Sequence, residues 1–243
     1  MDAIAPTRQA SPDTTIRRIA IDLDLLACIR AAREIHQLPP SVISGDEGVV
    51  ISSALAATSG GHSLIRPWMI ARREETRITV VGVGDAVRFR AALDLASPMA
   101  QSTVLGVREL PYVEPVNEER LRFEVRVCPT VNRTRGSEID VYLAAVARGG
   151  LIPPREQVYV TWLRERLRGA RLLHAQVRSF TIVSAYRPTH GDKRRWVERR
   201  YPDVTLAGSL VVEDAAIFRQ TLCQGIGRQR AYGRGWVWTE LTT

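Results

Sequence analysis

The segment Arg120–Val127, RLRFEVRV, alternates apolar and charged side chains without a break. Its apolar members share one face: Leu121, Phe123, Val125 and Val127. A period of two is typical of a half-buried β-strand. One apolar face and one charged face predict an antiparallel sheet that carries helices on only one of its sides.

The chain beyond this strand is predicted to contain two helices, two long strands, a helix and a last strand. Ser137 and Asp140, three residues apart, form a weak capping box, which places a helix start near Ser137. Pro154 suits the first turn of the next helix, which ends near Gly169. The remaining elements are strand Leu172–Ser184, turn Pro188–Asp192, strand Trp196–Val212, a helix capped by Asp214 that ends at Gly225, and strand Trp236–Leu241. With one helix extra, the order is β-α-β-β-α-β.

The N-terminal part of the chain has the same order. Its predicted elements are strand Ile16–Leu23, helical stretch Leu25–Leu38, helix Asp46–Thr58, strands Arg66–Arg73 and Arg77–Val83, a helix from Asp85 to about Ala96, and strand Thr103–Glu109. The stretch Leu25–Leu38 is additional to the order and is stopped by Pro39 and Pro40. Pro111–Asn117, PYVEPVN, has two prolines and little periodicity, so it is predicted to be a linker.

An order that occurs twice predicts the fold class, although no sequence repeat is obvious. It is the order of the split β-α-β motif, so we expect an α+β protein with two tandem ferredoxin-like (RRM-like) domains. The expected divisions are a flexible leader at 1–15, an N-terminal domain at 16–112 with the extra helical segment near 25–38, and a C-terminal domain at 118–243. RNA-recognition domains of this fold use the helix-free sheet face.

The charge of the chain indicates a polyanionic partner. Its formal net charge is +8, its pI is about 10.1, and Lys193 is the only lysine among 34 basic residues. Arginine binds phosphate through a fixed fork and also stacks on bases. Cys28, Cys128 and Cys223 lack metal-ligand spacing, so we expect reduced thiols and no metal. No apolar run reaches the roughly 20 residues that span a bilayer, and no signal peptide is evident, so a cytoplasmic location is expected.

The segment Gly225–Gly235, GIGRQRAYGRG, lies between the last helix and the last strand. Glycines permit positive φ and close approach to a phosphate, and successive N–H groups can form an anion-binding concavity. Arginines and a tyrosine add phosphate forks and a stacking ring. The residues predicted to bind RNA here are Gly225, Gly227, Arg228, Arg230, Tyr232, Gly233 and Arg234. A helix C-cap with a flexible turn is the simpler alternative. No nucleotide cofactor is expected, because Arg230 occupies the third glycine position of the dinucleotide fingerprint.

This run resembles the C-terminal signature of the CRISPR-associated repeat endoribonucleases of the RAMP superfamily. It is most similar to the CasE branch of type I-E systems and to the related type IV enzymes, whose pattern G-I-G-R-x-[RK]-A-[YF]-G-x-G is matched at every position. Leu121–Pro129, LRFEVRVCP, is similar to the family's R-F-R-L-R-A-N-P strand, with Cys128 where asparagine is usual. Arg155–Leu173 and Gly208–Phe218 are also similar.

The resemblance implies two ferredoxin-like domains and an activity. The family cuts CRISPR repeat RNA without metal: the 2′-OH attacks the scissile phosphate and leaves a cyclic phosphate. The expected partners are the repeat stem-loop of the crRNA and the other subunits of a CRISPR effector complex. A basic hairpin set against the stem is also implied, and Tyr186–Arg200, YRPTHGDKRRWVERR, is the matching segment.

Further arginines suit an A-form stem, which offers phosphates and shape more than base edges. The hairpin candidates are Lys193, Arg194, Arg195, Arg199 and Arg200. A second patch comprises Arg164 and Arg168, with Arg171 predicted on the same helix face at i, i+4, i+7. Arg133 and Arg135, in the loop after the first strand of that domain, are also candidates. A solvated loop or helix face is the alternative for each group.

The resemblance further implies a catalytic histidine, often with a tyrosine, on the first helix of the first domain. The corresponding helix, Asp46–Thr58, contains neither. The catalytic candidates are therefore His36, His62, Arg30 and Arg33. Arginines alone, stabilising the phosphorane, are a further possibility. His174 is expected to be structural, and His190 to contact RNA.

Three functions remain open. The first is a crRNA-processing endoribonuclease that keeps its product. The second is a catalytically inactive crRNA-binding subunit, which the missing helix histidine favours. The third is a general RNA-recognition protein, which requires aromatic residues on the central strands; the free face of Leu121–Val127 carries arginines instead.

Overall fold

The computed structural model describes residues 16–132, 138–188 and 196–241. The predicted leader at 1–15 lies outside these ranges. The N-terminal half contains β1 (Arg18–Asp24), α1 (Leu25–Glu34), α2 (Pro40–Gly45), α3 (Glu47–Ala57), β2 (Trp68–Arg73), β3 (Arg77–Val83), α4 (Ala86–Asp94), α5 (Pro98–Ser102) and β4 (Val104–Leu110). Its strands form an antiparallel sheet in the order β2-β3-β1-β4. This is the ferredoxin-like order, with α3 and α4 as the two crossover helices.

The C-terminal half repeats this topology with longer strands. Its elements are β5 (Arg120–Val127), β6 (Thr130–Asn132), β7 (Glu138–Asp140), α6 (Val141–Arg148), α7 (Arg155–Arg164), β8 (Ala170–Pro188), β9 (Trp196–Val212), α8 (Ala215–Gln224) and β10 (Val237–Leu241). The sheet order is β10-β5-β9-β8, again antiparallel. The α+β fold with two tandem ferredoxin-like sheets, predicted from the sequence, is confirmed.

Three local predictions were wrong. The helix predicted to start near Ser137 begins at Val141, because Glu138–Asp140 pairs with β6 as a short strand. The helical stretch predicted to reach Leu38 ends at Glu34, and α2 and α5 were not predicted. The shared helix face at the second arginine patch does not exist. Helix α7 ends at Arg164, so Arg168 follows it and Arg171 lies on β8.

Each sheet covers its own apolar core. In the N-terminal half, Ile21, Trp68 and Phe89 are among the fully buried side chains between the sheet and its helices. In the C-terminal half the alternation of β5 is realised, since Phe123 and Val125 pack in the core while the intervening side chains point away. The predicted helix caps Asp85 and Asp214 are confirmed, because each side chain accepts a hydrogen bond from the first turn of a helix. Asp46, predicted as the first residue of a helix, caps α3 in the same way.

The helix-free faces of the two sheets lie toward each other. Ala20 and Val81 pack against Trp236, and the buried Arg18 guanidinium stacks 4.6 Å from the centre of the Tyr112 ring. Arg18 also donates to Thr239 Oγ1 at 2.9 Å. A cavity of about 760 Å³ remains between the sheets, with Arg122, His174 and Trp238 among its lining residues. The charged face of β5 thus borders a cleft between the halves.

Two other expectations concern membranes and thiols. No helix within the described ranges is long and apolar enough to cross a bilayer. Cys28, Cys128 and Cys223 are free thiols, and the first two are fully buried. Burial raises the pKa of both Cys28 and Cys128 to about 12, so neither carries an appreciable thiolate population at neutral pH.

Candidate RNA interface

The Gly225–Gly235 loop is held by backbone hydrogen bonds within itself and to β5. All four of its glycines have positive φ, between 71° and 82°. The Ile226 N–H donates to the Gly235 carbonyl at 2.7 Å, and the Gly235 N–H donates to the Arg126 carbonyl at 2.7 Å. A short 3-10 turn, Arg230–Tyr232, forms the middle. The first glycine is a helix C-cap, as the simpler interpretation requires, but the rest of the loop has a defined shape.

The loop packs against the N-terminal half. Trp68 on β2 donates from Nε1 to the Ala231 carbonyl at 3.1 Å. A Cβ at Gly233 would lie 2.7 Å from the Trp68 ring, and the φ of 78° also disfavours any other residue there. At the start of α3, a Cβ at Gly48 would lie 2.8 Å from the Tyr232 carbonyl oxygen. The loop is therefore held at the contact between the two halves.

Two arginines of the loop reach its surface. Arg228 is exposed and forms an ion pair with Glu138. Arg230 is half-buried and donates from Nη1 to the Gln224 carbonyl at 2.7 Å. Burial lowers the pKa of the Arg230 guanidinium, and the positive charge of Arg66 lowers it further.

The third arginine, Arg234, lies inside the protein and is only 5% exposed. Its Nη2 donates to Asp203 Oδ2 at 2.9 Å, and Arg126 donates to the same carboxylate from Nε at 2.9 Å and from Nη2 at 2.6 Å. We call Arg126, Asp203 and Arg234 the Asp203 network. Burial by itself raises the pKa of Asp203, but the hydrogen bonds and charges of the two arginines outweigh it and hold that pKa below its usual range.

The Asp203 network also sets the shape of the loop. Arg234 Nη1 donates to Gln229 Oε1 at 3.1 Å and to the Tyr232 carbonyl at 3.3 Å. The Arg234 guanidinium therefore makes its hydrogen bonds within the protein. This differs from the sequence prediction, in which Arg234 binds an RNA phosphate. We assign Arg234 to positioning the loop.

Two cavities open beside the loop. One, of about 360 Å³, is lined by both halves of the chain. Its lining residues include Arg66, Glu138, Tyr201, Arg228, Arg230 and Tyr232. The other, of about 200 Å³, lies between the start of α3, the loop and the base of the long hairpin, and Asp46, Gly48, Arg126 and Arg234 are among the residues that line it.

The long hairpin of β8 and β9 is tied to the N-terminal half through Asp46. Its Oδ2 accepts from the Tyr186 N–H at 3.1 Å, and its Oδ1 accepts from the Val49 N–H at 3.1 Å. Arg199 and Arg200 are exposed on β9, as expected for a basic ribbon. The other predicted basic contacts lie outside the described residues: Arg133, Arg135, His190, Lys193, Arg194 and Arg195.

The second arginine patch lies around the end of α7. Arg164 and Arg168 are both exposed. Arg171 forms an ion pair with Glu213 at 2.7 Å. Arg164 and Arg168 remain candidates for contact with a phosphate backbone.

Comparison with known proteins identifies the family. Residues 68–237 match the sequence profile of a family described as CRISPR associated protein. The chain belongs to this family. The resemblance predicted from the loop is confirmed. No curated protein matches the chain.

Solved structures agree with this family and share the fold. CRISPR endoribonuclease Cse3 bound to a 19-nucleotide RNA is 18% identical with a TM-score of 0.60, over 92% of this chain and 99% of that chain. Cse3 of Thermus thermophilus, bound to an RNA representing a pre-cleavage complex, is 20% identical with a TM-score of 0.59, over 93% of this chain and 100% of that chain. Cas6e of Escherichia coli K-12 is 14% identical with a TM-score of 0.50, over 93% of this chain and 100% of that chain.

The catalytic candidates of this CRISPR-associated protein lie on and after its first helices. Arg30 and Arg33 are exposed on α1. His36 follows the end of α1, and its buried Nε2 has no hydrogen-bond partner among the described residues. His62 is exposed in the turn after α3. Neither histidine lines the two cavities beside the loop.

Several residues at this interface were not predicted from the sequence. Arg66, Tyr201 and Asp203 reach the loop from segments that end 22 or more positions before it, and none belongs to a local motif. Asp46 was predicted only as the first residue of a helix, yet its side chain also bonds the hairpin. A buried acid next to a cluster of arginines is a signal that appears only after folding.

Proposed function

We propose that this chain is a cytoplasmic endoribonuclease that binds the stem-loop of a CRISPR repeat and cleaves precursor crRNA. The reaction needs no cofactor and no metal. The 2′-OH before the scissile phosphate attacks it, the P–O bond to the next nucleotide breaks, and the leaving oxygen takes a proton. The products end in a 2′,3′-cyclic phosphate and a 5′-OH. The protein then stays bound to the mature crRNA as a subunit of an effector complex.

The observation that carries this proposal is the arginine-bearing Gly225–Gly235 loop at the contact of two ferredoxin-like halves, in a member of the CRISPR-associated family. Proteins of the same fold are described as a CRISPR endoribonuclease bound to RNA. A loop whose backbone is closed by internal bonds presents its remaining groups without an ordering cost at the moment of binding. The cytoplasmic location follows from the substrate, an RNA transcript.

The proposed division of labour separates holding the RNA from cutting it. The loop backbone, Arg228, Arg230 and Tyr232 hold the strand near the cut. The hairpin and the second patch hold the stem through Arg199, Arg200, Arg164 and Arg168, together with Arg133, Arg135, Lys193, Arg194 and Arg195. Arginines suit an A-form stem because they bind phosphates by shape and charge.

For the chemical step we propose Arg30, Arg33, His36 and His62 as the catalytic candidates. A histidine can serve as general base for the 2′-OH or as acid for the leaving oxygen. Arginines stabilise the charge of the phosphorane. We further propose that residues 16–112 and 118–243 fold as separate domains, because each half has its own apolar core.

A second candidate function is a crRNA-binding subunit without catalytic activity. It is favoured by one observation: within the described residues, no histidine lines either cavity beside the loop. The same surfaces then bind the repeat RNA but leave it intact.

Incubation of the purified protein with its repeat RNA in EDTA separates the two functions. Mass spectrometry of the product should find a 2′,3′-cyclic phosphate. A matched RNA with a 2′-deoxynucleotide before the cut should bind equally and stay whole. An intact repeat RNA that shifts on a native gel supports the binding subunit, and failure to bind the repeat RNA refutes both.

A further inference from the structure

One cation of the N-terminal half faces the loop, and no carboxylate among the described residues pairs with it. Arg66 lies between α3 and β2 and lines the same 360 Å³ cavity as Arg230. The backbone of Arg66 and the side chain of the residue two positions later are both anchored. The Arg66 N–H donates to the Val83 carbonyl at 2.9 Å, and two residues later Trp68 bonds the Ala231 carbonyl at 3.1 Å. The position of Arg66 relative to the loop is therefore set by the fold.

The cavity holds more positive charge than the protein neutralises. Across the described ranges neither Arg66 nor Arg230 forms an ion pair, and Glu138, which also lines the cavity, is paired with Arg228. Burial lowers the pKa of the Arg230 guanidinium, and the positive charge of Arg66 lowers that pKa further. Two guanidinium groups held near each other repel when neither is paired with a carboxylate, and a bound anion removes this repulsion.

We propose that Arg66 and Arg230 together hold one phosphate of the RNA backbone, so that the strand crosses from one half of the chain to the other at this cavity. This inference rests on the proposed function and adds a binding residue from the N-terminal half. The chemistry is that of a phosphodiester, for which the planar fork of arginine is suited. Because Arg230 already donates one N–H to Gln224, its guanidinium is oriented before RNA arrives.

The test is the salt dependence of repeat RNA binding by Arg66→Met, Arg230→Met and the double variant. Each lost phosphate contact should make the plot of log K against log salt less steep by about 0.7–1 and should weaken binding. If both arginines hold the same phosphate, the loss of slope in the double variant should not exceed the loss expected for one phosphate contact. Arg66→Lys should keep the slope, because it keeps the charge.

Arg88→Met is the matched control, since Arg88 is an exposed arginine of the N-terminal half on α4 and lines neither cavity beside the loop. It should leave slope and affinity nearly unchanged. Thermal melting of each variant checks that it is folded. The proposal is overturned if Arg66→Met behaves like Arg88→Met, or if the double variant loses the slope of two phosphate contacts, about 1.4–2.

The same titrations keep this proposal distinct from the proposed cleavage. The titrations measure only binding. If the wild type binds the repeat RNA but leaves it whole, cleavage is refuted, while the salt slopes of the variants still test whether Arg66 and Arg230 hold one phosphate. If the wild type binds only an unstructured RNA of equal length, repeat recognition fails and the slopes are read on that RNA. A wild type that binds neither RNA overturns both proposals.

Discussion

Replacement of Asp203 by asparagine should loosen the loop and weaken RNA binding, although it makes the protein more positive. The Asp203 carboxylate accepts three hydrogen bonds, two from Arg126 and one from Arg234. Arg234 in turn bonds Gln229 and the Tyr232 carbonyl, so the carboxylate fixes the arginine that shapes the loop. Asparagine keeps the size of the side chain but loses the charge and one acceptor oxygen.

The magnitude follows from burial. The side chains of Asp203 and Arg234 are 3% and 6% exposed, and breaking a buried pair by removing one partner costs about 3–5 kcal/mol. The Arg126 side chain is 36% exposed, so solvent screens its interaction with Asp203. We therefore expect a loss of stability at the lower end of that range, about 3 kcal/mol. For a chain of this size each kcal/mol lowers Tm by about 2–4 °C, which gives a fall of about 6–12 °C.

Two measurements test this: thermal denaturation, and filter binding of the repeat RNA at one fixed salt concentration. Glu213→Gln is the matched control, because it also removes one negative charge and one ion pair, with Arg171, but both side chains are more than half exposed. That pair is worth about 0–1 kcal/mol, and its loss should leave RNA affinity equal or slightly higher. Asp203→Asn should instead bind RNA more weakly.

The reasoning is refuted if Asp203→Asn melts within the range of the control. It is equally refuted if Asp203→Asn binds RNA more tightly than the wild type. In that case Arg234, once released, would act as a direct RNA contact.

Further predictions concern pH, the loop glycines and the catalytic candidates. The pKa of Asp203 is lower in the folded state than its unfolded value of about 3.9. The stabilisation that the Asp203 carboxylate gives is therefore complete above about pH 5 and is lost as pH falls through the folded pKa. The difference in Tm between wild type and Asp203→Asn should narrow below about pH 4, and it would stay constant if the pKa shift were absent. Gly233→Ala should lower stability by about 1–3 kcal/mol in urea denaturation, because its φ is 78° and the Trp68 ring is 2.7 Å from the added Cβ; an unchanged midpoint would contradict this. A residue that acts in the chemical step should slow single-turnover cleavage by about 10²-fold or more on replacement by alanine, with RNA affinity unchanged. The positions to replace singly are Arg30, Arg33, His36 and His62; a loss of affinity equal to the loss of rate would assign the residue to binding.

The elements of this protein are largely determined by its sequence because periodicity and capping are local. The alternation of Arg120–Val127 specifies a strand with one buried face, whatever lies beside it. Asp85 and Asp214 specify helix starts because a carboxylate one turn ahead satisfies free N–H groups. The loop pattern at Gly225–Gly235 likewise needs only its own residues, and it was enough to indicate the family.

Only the tertiary structure decided which charges are presented to a ligand. The sequence predicted that Arg228, Arg230 and Arg234 all bind RNA. In the structure one is paired at the surface, one faces Arg66 across a cavity, and one is buried against Asp203. Each outcome depends on a residue from a distant segment, and no local pattern encodes such a pairing. The three-residue strand at Glu138–Asp140 was missed for the same reason, since it exists only through its pairing with Thr130–Asn132.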